Sequence, residues 1–286
     1  MSGLLLQILC LMFVSACFVR ADSADDETDS IIGGTTVVKG QYKYMALILK
    51  KKGTKTTMCG GTIISSQHIL TAAHCFEAAD LPYDSVAVHV NDYNNSPLDS
   101  SAITRSVLDQ TKDIRKHAKY DKDLRTDDIA IVKLDRVLTT AELTNVAIVS
   151  VLNTTLTYAG SVGVALGWGV TKSDFGTLIS RSMQQVSLNI QDDDLCDALW
   201  ETKYVPASHL CTFTPKKAVC WGDDGGPILV NGVQVGISSF SKANAAAAAT
   251  GTAPICERGS VFTRVSTYVR NGWIQENLLD PIDISK

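Results

Sequence analysis

The sequence has no strong excess of charge of either sign: 26 Lys and Arg stand against 30 Asp and Glu in 286 residues, a formal net charge of −4. That balance excludes both a basic nucleic-acid binder and a polyanion. What imbalance exists is local. Arg20 is the single base before residue 31, against Asp22, Asp25, Asp26, Glu27 and Asp29, so the body that follows is electroneutral. There is no Cys-x-x-Cys pair and no Cys/His cluster with zinc-ligand spacing. No strong internal repeat stands out, and beyond the first twenty residues no apolar run approaches the roughly 20 residues that span a bilayer. What is present is globular material. With 45% hydrophobic and 20% charged residues the chain can bury a sizeable core, and its length allows one or two packed units.

Leu4 to Val19 is almost continuously apolar, interrupted by Gln7 and Ser15. The run is short and early, as in a secretory signal peptide, although no Lys or Arg precedes it. Val19-Arg20-Ala21 places small or aliphatic residues where signal peptidase reads, so cleavage is expected after Ala21. The division is then a signal peptide over 1–21, an acidic pro-segment over 22–30 and a body over 31–286. The alternative for the first segment is a buried N-terminal helix. A secreted, extracellular body agrees with the cysteines. Cys10 and Cys17 lie in the leader; Cys59, Cys75, Cys196, Cys211, Cys220 and Cys256 remain, an even set that suggests three disulfides among the 15 pairings six cysteines allow. Asn94 and Asn153 each head a glycosylation sequon.

From Ile31 onward short runs rich in Val, Ile and Thr alternate with turn residues. Examples are Tyr44–Leu49, Thr62–Ile64, Ile129–Leu134, Val162–Leu166, Ile228–Val230, Val233–Ser238 and Val261–Val265. Asn231-Gly232 marks a hairpin. The pattern reads as an all-β body in sandwich or barrel form. Polar residues from Ser150 to Gly160 are placed to join two halves. Val269, Trp273, Ile274 and Leu278 recur at helical spacing behind Ser266, which predicts one C-terminal amphipathic helix over Ser266–Leu279. The alanine run Ala245–Ala249 is too short to hold a helix alone and reads as a surface loop.

Three strings bear on chemistry: Thr71-Ala72-Ala73-His74-Cys75, Asp127-Asp128-Ile129-Ala130-Ile131-Val132, and Cys220-Trp221-Gly222-Asp223-Asp224-Gly225-Gly226-Pro227. Alone, a His before a Cys is usually structural and an Asp heading a strand is usually a cap. In this order, with Ile31-Ile32-Gly33-Gly34, Cys59-Gly60-Gly61-Thr62, Gly167-Trp168-Gly169 and Val235-Gly236-Ile237-Ser238-Ser239-Phe240, the chain resembles the chymotrypsin-like (trypsin-type) serine proteases from Ile31 to about Leu279. The resemblance implies an all-β fold of two six-stranded antiparallel barrels closed by a C-terminal helix, with the active site between them. It also implies the triad positions: His74 as general base, Asp128 as the acid that orients it, and Asp224 where the nucleophilic serine belongs.

The serine is absent. A carboxylate is a poor nucleophile toward an amide, and any anhydride it formed would be readily reversed by the departing amine. Its charge also stands beside the amides of Gly222 and Asp224, which the resemblance assigns to the oxyanion. Loss of the serine in an analogous triad costs about a million-fold in turnover, or roughly 8 kcal/mol of barrier. The chain therefore reads as a pseudoprotease that acts by binding. Its partner would be a protein or peptide such as a protease, an inhibitor or a protease substrate. The alternatives are a working secreted serine endopeptidase, if Asp224 is a sequence error, and a decaying gene product without function. Serine and aspartate codons differ by more than one base, which weighs against a casual error.

The resemblance assigns the specificity pocket to Ala218 at the floor with Ser241 and Ser260 as walls, a small or medium apolar slot. It pairs Cys59 with Cys75, Cys196 with Cys211 and Cys220 with Cys256. Asp128 and Asp224 would address opposite edges of the His74 ring, so no metal is expected. No calcium loop is recognisable between Val86 and Ile103, no cofactor is implied, and the body is expected to act as a monomer without nucleic acid or membrane. In such proteins a cut before the Ile-Ile-Gly-Gly string frees an amine that pairs with the aspartate preceding the nucleophile, here Ile31 with Asp223. The bond to be cut follows Ser30, not a Lys or Arg. Asp223 is then expected to stay in a loosely ordered turn. Trypsin should not generate an Ile31 N-terminus, and natural secreted material should begin near Asp22. Its N-terminal sequencing checks this, and a dominant start at Ile31 refutes it.

Overall fold

The computed structural model describes residues 31–77, 81–95, 97–169, 180–242, 256, 259 and 260–279. The leader, the pro-segment and the alanine run lie outside the described residues.

The chain forms two antiparallel sheets, as the alternation of β-branched runs and turns predicts. The described strands are β1 (Thr35–Thr36), β2 (Met45–Lys52), β3 (Lys55–Ile63), β4 (His68–Thr71), β5 (Ser85–Val90), β6 (Ile103–Ser106) and β7 (Ile114–Lys116). They continue with β8 (Ala130–Lys133), β9 (Val162–Gly167), β10 (Gln184–Asn189), β11 (His209–Thr212), β12 (Pro227–Val230), β13 (Val233–Ser241) and β14 (Ser260–Arg264). The first sheet runs β6-β5-β2-β3-β4-β8-β7 and the second β1-β10-β9-β12-β13-β14-β11. Each therefore has seven strands where six per barrel were expected, because the short strands β1 and β7 add to a sheet edge. The segment from Ser150 to Gly160 does connect the two halves, and Ser150 bridges Val233 on the way.

The core follows the sheets. Leu47, Ile48, Ile63, Ile69, Leu70, Ile131 and Val132 pack inside the first and join Trp168, Tyr268 and Ile274 from the rest of the chain. Ile31, Ala165, Leu188, Leu210, Ile228 and Phe262 form the core of the second. Burial at this density supplies most of the driving force. Polar contacts then fix how the sheets meet. Thr62 Oγ1 donates to Gln234 Oε1 (2.6 Å), Tyr268 OH donates to Asp127 Oδ1 (3.0 Å), and the Asp127 amide donates to Ser208 Oγ (2.8 Å).

The C-terminal helix differs from the expectation. It is two short helices, Val265–Arg270 and Trp273–Leu278, and Ser266 lies inside the first rather than capping it. The break is at Gly272, whose φ of 84° no helix can contain. The Asn231-Gly232 hairpin is as expected. Both residues have positive φ (51° and 78°), and Val230 pairs with Val233 across the turn.

Nothing lies within 4 Å of a methyl group added at Gly232, so substitution there isolates backbone strain from crowding. Gly232→Ala should cost about 1 kcal/mol without changing the fold, read as a fall in Tm with an unaltered circular dichroism spectrum.

Candidate active site

The site assembles where the sheets face one another. After β4 the chain makes a tight helical turn, Ala73–Phe76, which presents His74. The Cys59–Cys75 disulfide ties this turn to β3, with 6.3 Å between the Cα atoms. Cys196–Cys211 and Cys220–Cys256 are also formed, so all three expected pairings are present.

Asp128 precedes β8 and is fully buried. A carboxylate there needs several donors, and it has them from both halves of the molecule. The His74 amide donates to Oδ1 (2.8 Å), His74 Nδ1 lies 2.7 Å from Oδ2, and Ser239 Oγ on β13 donates to Oδ2 (2.5 Å). Thr263 on β14 donates to the Asp128 carbonyl (2.8 Å). Ser239 was legible only as part of a string; its hydrogen bond to an acid far away in sequence was not. Burial pushes Asp128 up, but the His74 charge and these hydrogen bonds outweigh it and hold the carboxyl below its ordinary range.

On the other edge of the ring, His74 Nε2 lies 3.6 Å from Asp224 Oδ1. His74 therefore sits between two carboxylates. Burial pushes the imidazole down; the Asp128 charge and hydrogen bond, and then Asp224, overcome that and push it up to about 9. The ring is cationic at neutral pH. The carboxylates address opposite nitrogens and do not converge on one ion, and among the described residues no group of three His, Cys, Asp or Glu is placed to hold a metal.

The turn carrying Asp224 is held by both sheets. Gly60 on β3 donates its amide to the Asp224 carbonyl (2.7 Å), and the Gly225 amide donates to the Ser238 carbonyl (2.9 Å). Gly225 has a φ of 77°, and a Cβ there would meet Thr71 Oγ1 at 2.2 Å and the Gly60 carbonyl at 2.6 Å. Only glycine fits so close an approach.

Asp223 is fully buried. Its Oδ1 accepts the Gly169 amide (2.8 Å) and its Oδ2 the Cys220 amide (3.0 Å). Burial raises this carboxyl to about 7 against those two amides, and the Asp224 charge adds to the rise. Ile31, also fully buried, packs in the core of the second sheet, and among the described residues Asp223 makes no ion pair. The uncut chain holds the turn with hydrogen bonds from both sheets, because two amides serve the carboxylate where an ammonium would otherwise be needed. Gly167 and Gly169 make room for it: a Cβ on either would lie 2.1 or 2.4 Å from an Asp223 oxygen.

The residues that the resemblance assigns to the pocket lie together. Ala218 is fully buried in a small cluster with Ile32, Cys220 and Cys256. Ser241 Oγ donates to the Val219 carbonyl (2.8 Å) and lies 3.1 Å from Ser260 Oγ, which accepts the Val219 amide (3.1 Å). Both hydroxyls are thus consumed by the protein itself. Of the sequon asparagines, Asn94 is part-buried, with Nδ2 donating to Asp99 Oδ1 (3.0 Å), whereas Asn153 is exposed.

Two antiparallel sheets bring His74, Asp128 and Asp224 into one line, and the family model for Trypsin matches residues 31–271. The chain belongs to the trypsin family. Among its relatives, the crab protein brachyurin of Leptuca pugilator is 32% identical over 249 residues, covering 86% of this chain and 97% of the relative. Chymotrypsin of the beetle Phaedon cochleariae is 29% identical over 252 residues, covering 87% and 83%. A solved structure described as "Structure of GrC" superposes with a TM-score of 0.73 at 25% identity, covering 87% of this chain and 99% of that one. As a trypsin-family chain, the molecule keeps the family's chymotrypsin-like fold. Among the described residues no helix is long and apolar enough to cross a membrane.

A cationic His74 is testable. The folded-state value lies above the unfolded one, so its stabilisation is fully present below about pH 6.5 and is lost as pH rises through about 9. Proton NMR of the imidazole should place the His74 midpoint near 9, and Asp224→Asn should lower it. A midpoint at or below 7 in the parent chain contradicts the two-carboxylate arrangement.

Proposed function

We propose that this trypsin-family chain is a secreted serine protease homologue that binds its partner without cleaving it. One observation carries the reading: the atom facing His74 Nε2 is a carboxylate oxygen of Asp224 at 3.6 Å, not a hydroxyl. The ring that takes the serine proton in an active relative is, here, already protonated at neutral pH, so it has no lone pair to offer as a base. The Asp224 charge opposes the negative charge that a tetrahedral intermediate would build beside the amides of Gly222 and Asp224. Hydrolysis thus lacks its nucleophile, its base and part of its electrostatic stabilisation.

The surface is kept while the chemistry is lost. The buried Asp128 network, the three disulfides and the hydrogen-bonded turn at 222–226 support a retained protease-like binding surface. Such a surface suits competition for a protease's inhibitor or substrate, or a cofactor role beside an active protease. Three disulfides, an apolar leader and relatives such as brachyurin and chymotrypsin support an extracellular setting.

Purified protein, verified to carry Asp224, should show no amidase activity on chromogenic peptides and no labelling by fluorophosphonates. Turnover at the level of an ordinary family member refutes the reading. In Asp224→Ser, with His74 and Asp128 in place, activity should appear toward small or medium apolar side chains. A preference for Arg or Lys would show that the Ala218 pocket assignment is wrong.

A further inference from the structure

The fold treats the two sequons differently. Asn94 forms a β-bridge with Ser182, and both ends of its side-chain amide are occupied. Nδ2 donates to Asp99 Oδ1 (3.0 Å), and Oδ1 accepts from Ser182 Oγ (3.0 Å). Asp99 is itself fixed: its Oδ1 lies 2.9 Å from Lys39 Nζ, and its Oδ2 accepts the Tyr93 amide (2.9 Å). The next residue adds to the bridge. The Asn95 amide donates to the Arg181 carbonyl (2.8 Å), and Asn95 Nδ2 donates to the Ser180 carbonyl (2.5 Å).

A sugar on Asn94 would need space that is already filled. Once substituted, Nδ2 belongs to a secondary amide, and the planar trans form puts the sugar carbon on the same side as the oxygen. At Asn94 that side is held by Ser182. A sugar there would part the bridge that ties residues 94–95, after β5, to residues 180–182, before β10.

Asn153 stands in the strap that joins the two sheets. The strap is pinned near its ends. The Val149 amide donates to the Ile63 carbonyl, the Gln234 amide to the Ser150 carbonyl and the Gly160 amide to the Ile190 carbonyl, each at 2.9 Å. Between these anchors, residues 151–158 belong to no helix or strand. Asn153 and Thr155 are exposed, as are Leu152 and Leu156, and neither sequon side chain makes a hydrogen bond among the described residues. The one bond inside the sequon runs from the Leu156 amide to Thr154 Oγ1 (3.1 Å) and uses its middle residue, whose identity the motif leaves open. A bulky polar group on Asn153 Nδ2 therefore costs no native contact.

We propose that Asn153 carries an N-linked oligosaccharide in the secreted protein and that Asn94 does not. The donor is an oligosaccharide held on a lipid diphosphate. The bond from the anomeric carbon to the diphosphate oxygen breaks, and a bond from that carbon to Asn153 Nδ2 forms. Nδ2 gives up one proton and the lipid diphosphate departs. The transfer takes place in the secretory compartment, so the proposal rests on the reading of the chain as secreted.

The test is peptide mass mapping of the full chain, expressed with its own leader in cultured insect cells and collected from the medium. Peptide N-glycosidase releases the oligosaccharide and turns the asparagine that bore it into aspartate, and heavy-oxygen water marks that conversion by mass. Asn153 should be converted in most molecules and Asn94 in none, with a single step in gel mobility on glycosidase treatment. Asn153→Gln and Thr155→Ala, both at exposed side chains, should each abolish the step. Ser96→Ala should leave it unchanged. Conversion at Asn94, or secreted protein with Asn153 unconverted, overturns the proposal. If no protein reaches the medium, the secretion reading fails, and the same mapping on the chain placed behind a proven signal peptide then decides the glycan by itself.

Discussion

A single carboxylate with no access to water organises this molecule. Asp128 leaves the first sheet, yet one of its side-chain donors, Ser239, and the donor to its carbonyl, Thr263, come from the second. An unpaired charge in that position would be prohibitive, so the sheets must come together in the one arrangement that delivers all the donors. His74 is the counter-charge. The same contacts that orient the imidazole therefore also dock the two halves.

That dual duty separates the architecture from the side chain at position 224. Asp224 sits on a turn whose position is set by main-chain bonds to Gly60 and by the close approach at Gly225, not by its side chain, which is about a third exposed. A change of side chain there is cheap for the fold. Its consequence falls on the face turned to His74, where Asp224 Oδ1 stands 3.6 Å from Nε2.

The local strings around His74, Asp128 and Asp224, the hairpin at Asn231-Gly232 and the strands with clear apolar runs were readable from the sequence because each is a short-range pattern. Other features were not. The bond from Ser239 to Asp128 and the glycine cradle of Gly167 and Gly169 around Asp223 join residues that only the tertiary fold brings together. Among the strands outside the runs named from the sequence, β4 and β11 are buried along their whole length and carry no alternation. The predicted single C-terminal helix read the apolar spacing across Gly272 and missed that its backbone turns left-handed there. Nor was the bond from the Gly169 amide to Asp223 legible, since it forms only in the fold.

The Cys220–Cys256 disulfide closes a loop of 36 residues that includes the whole turn bearing Asp224 and both strands of the Asn231-Gly232 hairpin. A single peptide-bond break anywhere inside that loop leaves two chains that remain one covalent object. Clipping by a neighbouring protease would then not release either piece: under oxidising conditions the clipped molecule gains only the mass of one water, and the fragments separate only after reduction. In surroundings rich in proteases, the molecule can be nicked there without coming apart.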